Sequence, residues 1–214
     1  MNERRYSRLD LSIIGLDRAV RTVFGRPNPG PRPEPGAAAS DGPAAEGERR
    51  HSAGLMRVNH SGEIAAQALY QAQALVARSA LLEDKMARSA DEENEHLLWC
   101  QARVQALGGH TSYLNPFWYL GSFAMGLAAG LAGDRWSLGF VAETEHQVVK
   151  HLDEHLQRLP ADDHKSRAIL TQMQADERRH ATRAVETGAA ELPDPVKVLM
   201  SMTAKVMTTT AYWI

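Results

Sequence analysis

The chain has 214 residues, long enough to bury one sizeable core without disulfides or partner chains. Hydrophobic residues make up 43% and charged residues 23%, an ordinary globular balance that excludes wholesale disorder. A formal charge of −2, from 24 basic and 26 acidic residues, offers no basic field for nucleic acid, and a single cysteine, Cys100, excludes a disulfide framework and any multi-cysteine zinc or iron–sulfur site.

In chain order, residues 1–26 predict an amphipathic helix. Its apolar stripe is Tyr6, Leu9, Ile13, Leu16, Val20 and Phe24, at spacings of three and four, with arginines around it. Glu3, Asp10 and Asp17 argue against a mitochondrial presequence, and the absence of an uninterrupted apolar run argues against a secretory signal. Docking on the protein itself or on a membrane surface fits such a helix. Residues 27–50 differ: 15 of the 24 are Pro, Gly or Ala, and none is a large apolar residue. Such a stretch buries too little surface to offset its ordering entropy, so it is expected to be a flexible, partly extended linker.

Residues 51–214 read as one all-α domain. Ser52 is expected to cap a helix reaching about Ser79. A second runs from about Leu81 to Leu107 and stops at Gly108 and Gly109. A third spans Pro116 to Leu131, and a fourth spans Arg135 to Leu159 and ends at Pro160. A fifth starts at Asp162 or Asp163 and ends near Gly188, and Asp194–Pro195 opens a sixth. No strand-type alternation interrupts them. Long helices on short connections pack as an antiparallel four-helix bundle, here with two additional apolar helices.

Glu-x-x-His occurs four times, at Glu48–His51, Glu93–His96, Glu143–His146 and Glu177–His180. Side chains three apart on a helix differ by about 60° in direction, so both can reach one ion. Burial phase separates the four. Glu93 lies on the line Met86, Ala90, Leu97, Cys100, Val104, and Glu177 on the line Leu170, Met173, His180, Ala184, so these two pairs face the core. The pair at 48–51 falls at the linker's end, and Glu143 lies on a polar line with Gln147, Lys150 and Glu154.

Two further acids occupy apolar lines: Glu145 among Leu138, Val141, Val148 and Leu152, and Glu63 between Met56 and Tyr70. Lone buried carboxylates are costly, and four of them in a bundle core call for cations. One Glu from each of two helices and Glu-x-x-His from each of two others is the ligand set of ferritin-like di-iron and di-manganese proteins. Four carboxylates balance two divalent ions, and an oxygen-rich set with only two imidazoles suits iron or manganese better than zinc or copper.

The runs Arg57-Val-Asn-His-Ser-Gly-Glu63, Asp91-Glu-Glu-Asn-Glu-His96 and Asp176-Glu-Arg-Arg-His180, with the Glu145…His151 helix, resemble the demethoxyubiquinone hydroxylases over residues 52–214. These are carboxylate-bridged di-iron monooxygenases of ubiquinone biosynthesis. The resemblance implies O2-dependent hydroxylation of the ring of a polyprenyl demethoxyubiquinol, of the 2-polyprenyl-3-methyl-6-methoxy-1,4-benzoquinol type, at a centre of two Fe ions. It implies Glu93 and Glu177 as bridging ligands, Glu63 and Glu145 as terminal ones, and His96 and His180 on one iron each. His151 would touch a ligand or the substrate, or else be a plain helix-surface histidine. Glu143 is two residues from Glu145, and helix phase favours Glu145 as the ligand.

The resemblance further implies peripheral attachment at the cytoplasmic face of a bacterial inner membrane, or at the matrix side of the mitochondrial one. Homo-oligomers and other ubiquinone-biosynthesis proteins are compatible partners; nucleic acid is not. Thr111 to Gly133 is 23 residues without a charge, long enough to span a bilayer. Its position between two pairs of ligand helices, which must share one side of the membrane, favours an interfacial helix over a span, with a buried crossover helix as the other option. The final helix, Val196 to Met207 and the Thr-Thr-Thr-Ala-Tyr-Trp-Ile that follows, is a second membrane-facing candidate. A ferritin- or rubrerythrin-like iron or peroxide protein would use the same six ligands but has no need of the uncharged segment, and rubrerythrins add a cysteine-rich module that one cysteine cannot supply.

Overall fold

The computed structural model describes residues 7–25, 30–39, 42–43 and 45–214. Among them lie seven helices and no strand: α1 (Arg8–Phe24), α2 (Glu46–Val76), α3 (Ala80–Ala106), α4 (Asn115–Ala132), α5 (Asp134–Arg158), α6 (His164–Glu186) and α7 (Asp194–Ala211). Helix α2 packs on α3, α3 on α6, α6 on α5 and α5 back on α2, which closes a ring of four. This is the ferritin-like bundle. Helix α4 is the crossover between its halves, laid against α2 and α5, while α1 and α7 lie outside.

Local chemistry explains the boundaries. Ser7 and Asp10 form a reciprocal capping box at the start of α1. The Asp163 side chain accepts from the Ser166 amide to cap α6, and it pairs at 2.7 Å with Arg103, a fully buried guanidinium on α3. Past the ends of α3 and α6, Gly108 and Gly188 take positive φ of 76° and 102°, a left-handed region that favours glycine. Helix α2 departs from expectation. It begins at Glu46, with Glu46 and Glu48 favourably placed in its positive first turn, and Ser52 lies buried inside it instead of capping it.

The core divides along the bundle axis. One apolar cluster includes Leu55, Met56, Val104, Leu152 and Leu170; another includes Tyr70, Met86, Val141 and Ala184. On each of the four helices the two clusters flank a polar waist, and the acids occupy it.

The outer elements pack differently from their sequence patterns. Helix α1 docks through Ala19, Thr22 and Val23, while Ile13, Leu16, Val20 and Phe24 of its stripe face outward. Tyr6 of that stripe and the side chain of Leu9 lie outside what the structure describes. Helix α4 packs with one face and leaves the other exposed. Tyr119, Ser122, Gly126 and Gly130 bury one face, and a Cβ on Gly126 would stand 2.7 Å from the Leu69 carbonyl oxygen, so α2 and α4 touch backbone to backbone. Phe117, Leu120 and Leu131 remain exposed on the other side. No helix among the described residues is long and apolar enough to cross a membrane.

Composition predicts a flexible linker over 27–50, yet residues 30–39 lie against the bundle. Arg32 reaches Glu95 on α3 and Asp176 on α6, and Gly36 is buried, where a Cβ would stand 3.0 Å from the Lys165 carbonyl oxygen. The prolines that suggest a linker also narrow the unfolded ensemble, which lowers the entropy cost of holding the segment in place. Residues 27–29, 40–41 and 44 of that stretch lie outside the described residues.

Candidate metal centre

The waist gathers six side chains from four helices: Glu63 from α2, Glu93 and His96 from α3, Glu145 from α5, and Glu177 and His180 from α6. All are 0–4% exposed. Both histidines turn Nδ1 inward. His96 Nδ1 lies 3.0 Å from Glu93 Oε2 and from Glu177 Oε1, and 3.8 Å from Glu63 Oε2. His180 Nδ1 lies 3.1 Å from Glu93 Oε1 and from Glu177 Oε2.

Two groups of ligand atoms, each within 4.8 Å of one another, can each hold an ion: Glu63, Glu93, His96, Glu177 and Glu93, Glu145, Glu177, His180. Glu93 and Glu177 belong to both. A carboxylate has two oxygens and can serve two ions, so the geometry suits a pair of metals bridged by these residues.

The electrostatics of the metal-free cluster point the same way. Burial, with Glu93 and Glu177 nearby, pushes the Glu63 carboxyl well above its ordinary range. Burial and the same two glutamates do so for Glu145. Burial also opposes the charge on Glu93, but His96 and His180 outweigh it and hold that carboxyl below the ordinary range. Glu93 Oε1 has no well-formed hydrogen bond despite its burial. Cations at the two positions would neutralise the acids and satisfy the orphaned oxygen, so the donor set fits a metal pair.

Around this set stands a ring of residues that the sequence reading did not single out. His96 Nε2 meets Asp176 Oδ2 at 2.9 Å, and His180 Nε2 meets Glu92 Oε2 at 2.7 Å. The exchange is reciprocal: the acid immediately before each motif glutamate serves the histidine of the other helix. Such partners orient a ligating imidazole and raise its basicity. The signal was present, since both core-facing motifs read acid-Glu-x-x-His. Tyr70, two turns beyond Glu63 on the same face of α2, donates its hydroxyl to Glu145. A phenol between two cores is not distinguishable by periodicity from an ordinary packed tyrosine.

The remaining candidates lie elsewhere. His51 bonds the Tyr212 hydroxyl at 2.6 Å and the Arg158 carbonyl at 3.0 Å, and Glu48 is exposed. Glu143 accepts from Gln147 at 2.7 Å, and His146 is exposed. His151 is not among the six; its ring packs 3.8 Å from that of His155, and burial lowers its pKa to about 4. Cys100 is buried with its thiol 3.6 Å from Met173 sulfur, as a small apolar residue.

A family model described as ubiquinone biosynthesis protein COQ7 matches residues 50–211. A protein of Nitrosococcus oceani, named 3-demethoxyubiquinol 3-hydroxylase, is 61% identical over 214 residues, covering all of both chains. Proteins of the same name from Polynucleobacter necessarius and Dechloromonas aromatica are 55% and 56% identical, over 96% and 95% of this chain and 99% and 98% of their own.

Proposed function

The chain belongs to the ubiquinone biosynthesis protein COQ7 family and is a hydroxylase of that pathway, a 3-demethoxyubiquinol 3-hydroxylase, and we propose that it works with two iron ions held by Glu63, Glu93, His96, Glu145, Glu177 and His180. The observation that carries this reading is the sharing of Glu93 and Glu177 between two four-residue groups in a buried waist. Glu93 and Glu177 would be the ligands common to both ions, Glu63 and Glu145 would each serve one, and each histidine would serve one ion through the Nδ1 that faces the cluster. Iron held there would supply the redox chemistry toward O2, of which one oxygen atom would end in the ring and the other in water, with two electrons and two protons from a donor.

The protein's own work is positioning and exclusion of water. Tyr70 steadies Glu145, Asp176 and Glu92 fix the two imidazoles, and the flanking apolar clusters keep the waist dry. A cavity of about 300 Å³ opens between the end of α1, α3 and the loop before α4, with His60 and Leu97 in its wall. His60 stands one turn before Glu63 and Leu97 directly after His96. A quinol head approaching from this side reaches the waist beside two ligands, and the cavity is of ligand-binding size.

The substrate's polyprenyl tail belongs in a bilayer. Exposed apolar residues on α1, α4 and α7, among them Leu16, Phe117, Leu120, Leu199 and Met202, support peripheral attachment, at the cytoplasmic face of a bacterial inner membrane. Iron analysis of the purified protein, paired with turnover of demethoxyubiquinol with and without O2, tests the whole. Close to two irons per chain and O2-dependent product are expected. Turnover by iron-free protein, or by the Glu177→Ala variant, would overturn the ligand assignment.

A further inference from the structure

The two histidines of the waist are not held alike, and the difference comes from outside the bundle. Asp176, which meets His96 Nε2, is fully buried, and its Oδ2 also receives Arg32 Nη1 at 2.8 Å. Glu92, which meets His180 Nε2, is half-exposed, and Arg183 from the surface of α6 approaches it at 3.5 Å. One imidazole is therefore backed by a carboxylate closed in by the 30–39 segment, the other by a carboxylate open to water.

Arg32 is anchored at several points. Its backbone amide and its guanidinium both bond the buried Glu95, and its guanidinium sits 5.2 Å over the Trp99 ring, which in turn packs 5.4 Å from the ring of His96. Arg32 thus bears on His96 along two routes, one polar through Asp176 and one through Trp99. The segment needs glycine to come so close. A Cβ at Gly30 would lie 1.9 Å from Glu95 Oε1 and 2.3 Å from its Cγ, and Glu95 is pinned by Arg32.

We propose that Arg32 is a positioning residue of the metal centre, which holds His96 in its ligating orientation through Asp176, so that the 30–39 strap makes the two metal positions unequal. The inference rests on the metal reading given above. On Asp176 one oxygen is shared between Arg32 and His96, while Arg179 and Gln172 take the other, so Arg32 sets the position of the oxygen that His96 uses. Without Arg32 the strap lifts and water reaches Glu95 and Asp176, so both stay solvated and the fold survives. What is lost is the fixed direction of His96.

Anaerobic titration of the full-length metal-free protein with Fe2+ tests this, with thermal melting of the metal-free protein alongside. The wild type binds two ions. In Arg32→Gln one of the two is expected to weaken about tenfold and the other to keep its affinity, while the metal-free melting temperature is unchanged. Arg32→Lys recovers part of that loss, since an ammonium can reach Asp176 but cannot fork to Glu95 as well. Gly30→Ala, which pushes the strap off Glu95, reproduces the Arg32→Gln titration. Identical titrations for wild type and Arg32→Gln, equal weakening of both ions, or collapse of the metal-free fold would each overturn the assignment. A wild type that fails to take up two ions would sink the metal reading itself, a distinct result.

Discussion

In the waist of the bundle, four carboxylates and two imidazoles are 0–4% exposed, whereas on its outer layer Phe24, Phe117 and Trp213 are 75%, 69% and 76% exposed. Charge lies inside and apolar surface outside, the reverse of the usual arrangement. Each region is uncomfortable in water alone, and each names what relieves it. Buried acids call for cations, and an apolar layer spread over three helices calls for a non-aqueous neighbour. The two also meet: α4 lies with one face on α2, the helix of Glu63, and the other face open. Chemistry on a lipid-borne substrate needs both regions in one small domain.

The comparison breaks most completely at the shared ligands. Glu177→Leu removes a group common to both metal positions, so iron binding and turnover should fall below detection. Yet the metal-free variant should keep most of its stability, because Glu93 still contacts both imidazoles and one of four crowded buried carboxylates, which disfavours charge on Glu63 and Glu145, is gone. A large drop in metal-free stability would mean that Glu177 is a structural partner of the two histidines and not a metal ligand.

The outer layer fails in the opposite manner. Leu120, on the exposed face of α4, should accept Asp with iron content and melting temperature intact. Membrane attachment should weaken by about 2.5–3.5 kcal/mol if the site sits at mid-bilayer depth and by less near the headgroups. Turnover of a long-chain quinol in liposomes then falls, while a short water-soluble quinol is processed as before. Equal loss on both substrates, with liposome binding unchanged, would show that this face meets protein. Between the regions, Gly126→Val wedges a side chain into the α2–α4 contact, 2.7 Å from the Leu69 carbonyl oxygen, and should cost about 1–3 kcal/mol in urea unfolding.

These regions were unequally legible in the sequence. The waist was readable because an acid on an apolar helical line is rare, and four of them in phase on four helices have few explanations. The ring around it was hidden: Asp176 and Glu92 lie off the stripes, and their roles depend on how α3 and α6 face each other. Arg32 was hidden more deeply. Its segment has the composition of a linker, and only tertiary contact shows that a proline-rich strand of chain can be held by one arginine on two buried acids. On α1 the stripe was visible but its direction was not, because periodicity cannot say whether an apolar face meets core or lipid.

His60 stands at the seam between the two regions, 3% exposed, with Nδ1 3.4 Å from the Asn115 side-chain nitrogen. Burial lowers its pKa from 6.5 to about 4, and the side chains lining the cavity beside it carry no charge to offset that. The sign follows from linkage. As pH falls below about 6.5, His60 of the unfolded chain takes a proton that the folded protein refuses until about pH 4, so the folded state loses stability across that window and no further below it. Between pH 7.5 and 5.5 the loss due to this residue is about 1.3 kcal/mol, from 1.36 kcal/mol per pKa unit. His151 and His155, also lowered by burial, add to the total, so the measurement is a difference: urea unfolding at both pH values, at constant metal load, for wild type and His60→Gln. Wild type should lose about 1.3 kcal/mol more than the variant over that interval. The same loss in both would mean that water in the cavity solvates His60 in the folded protein, and that the seam is wet where the waist is dry.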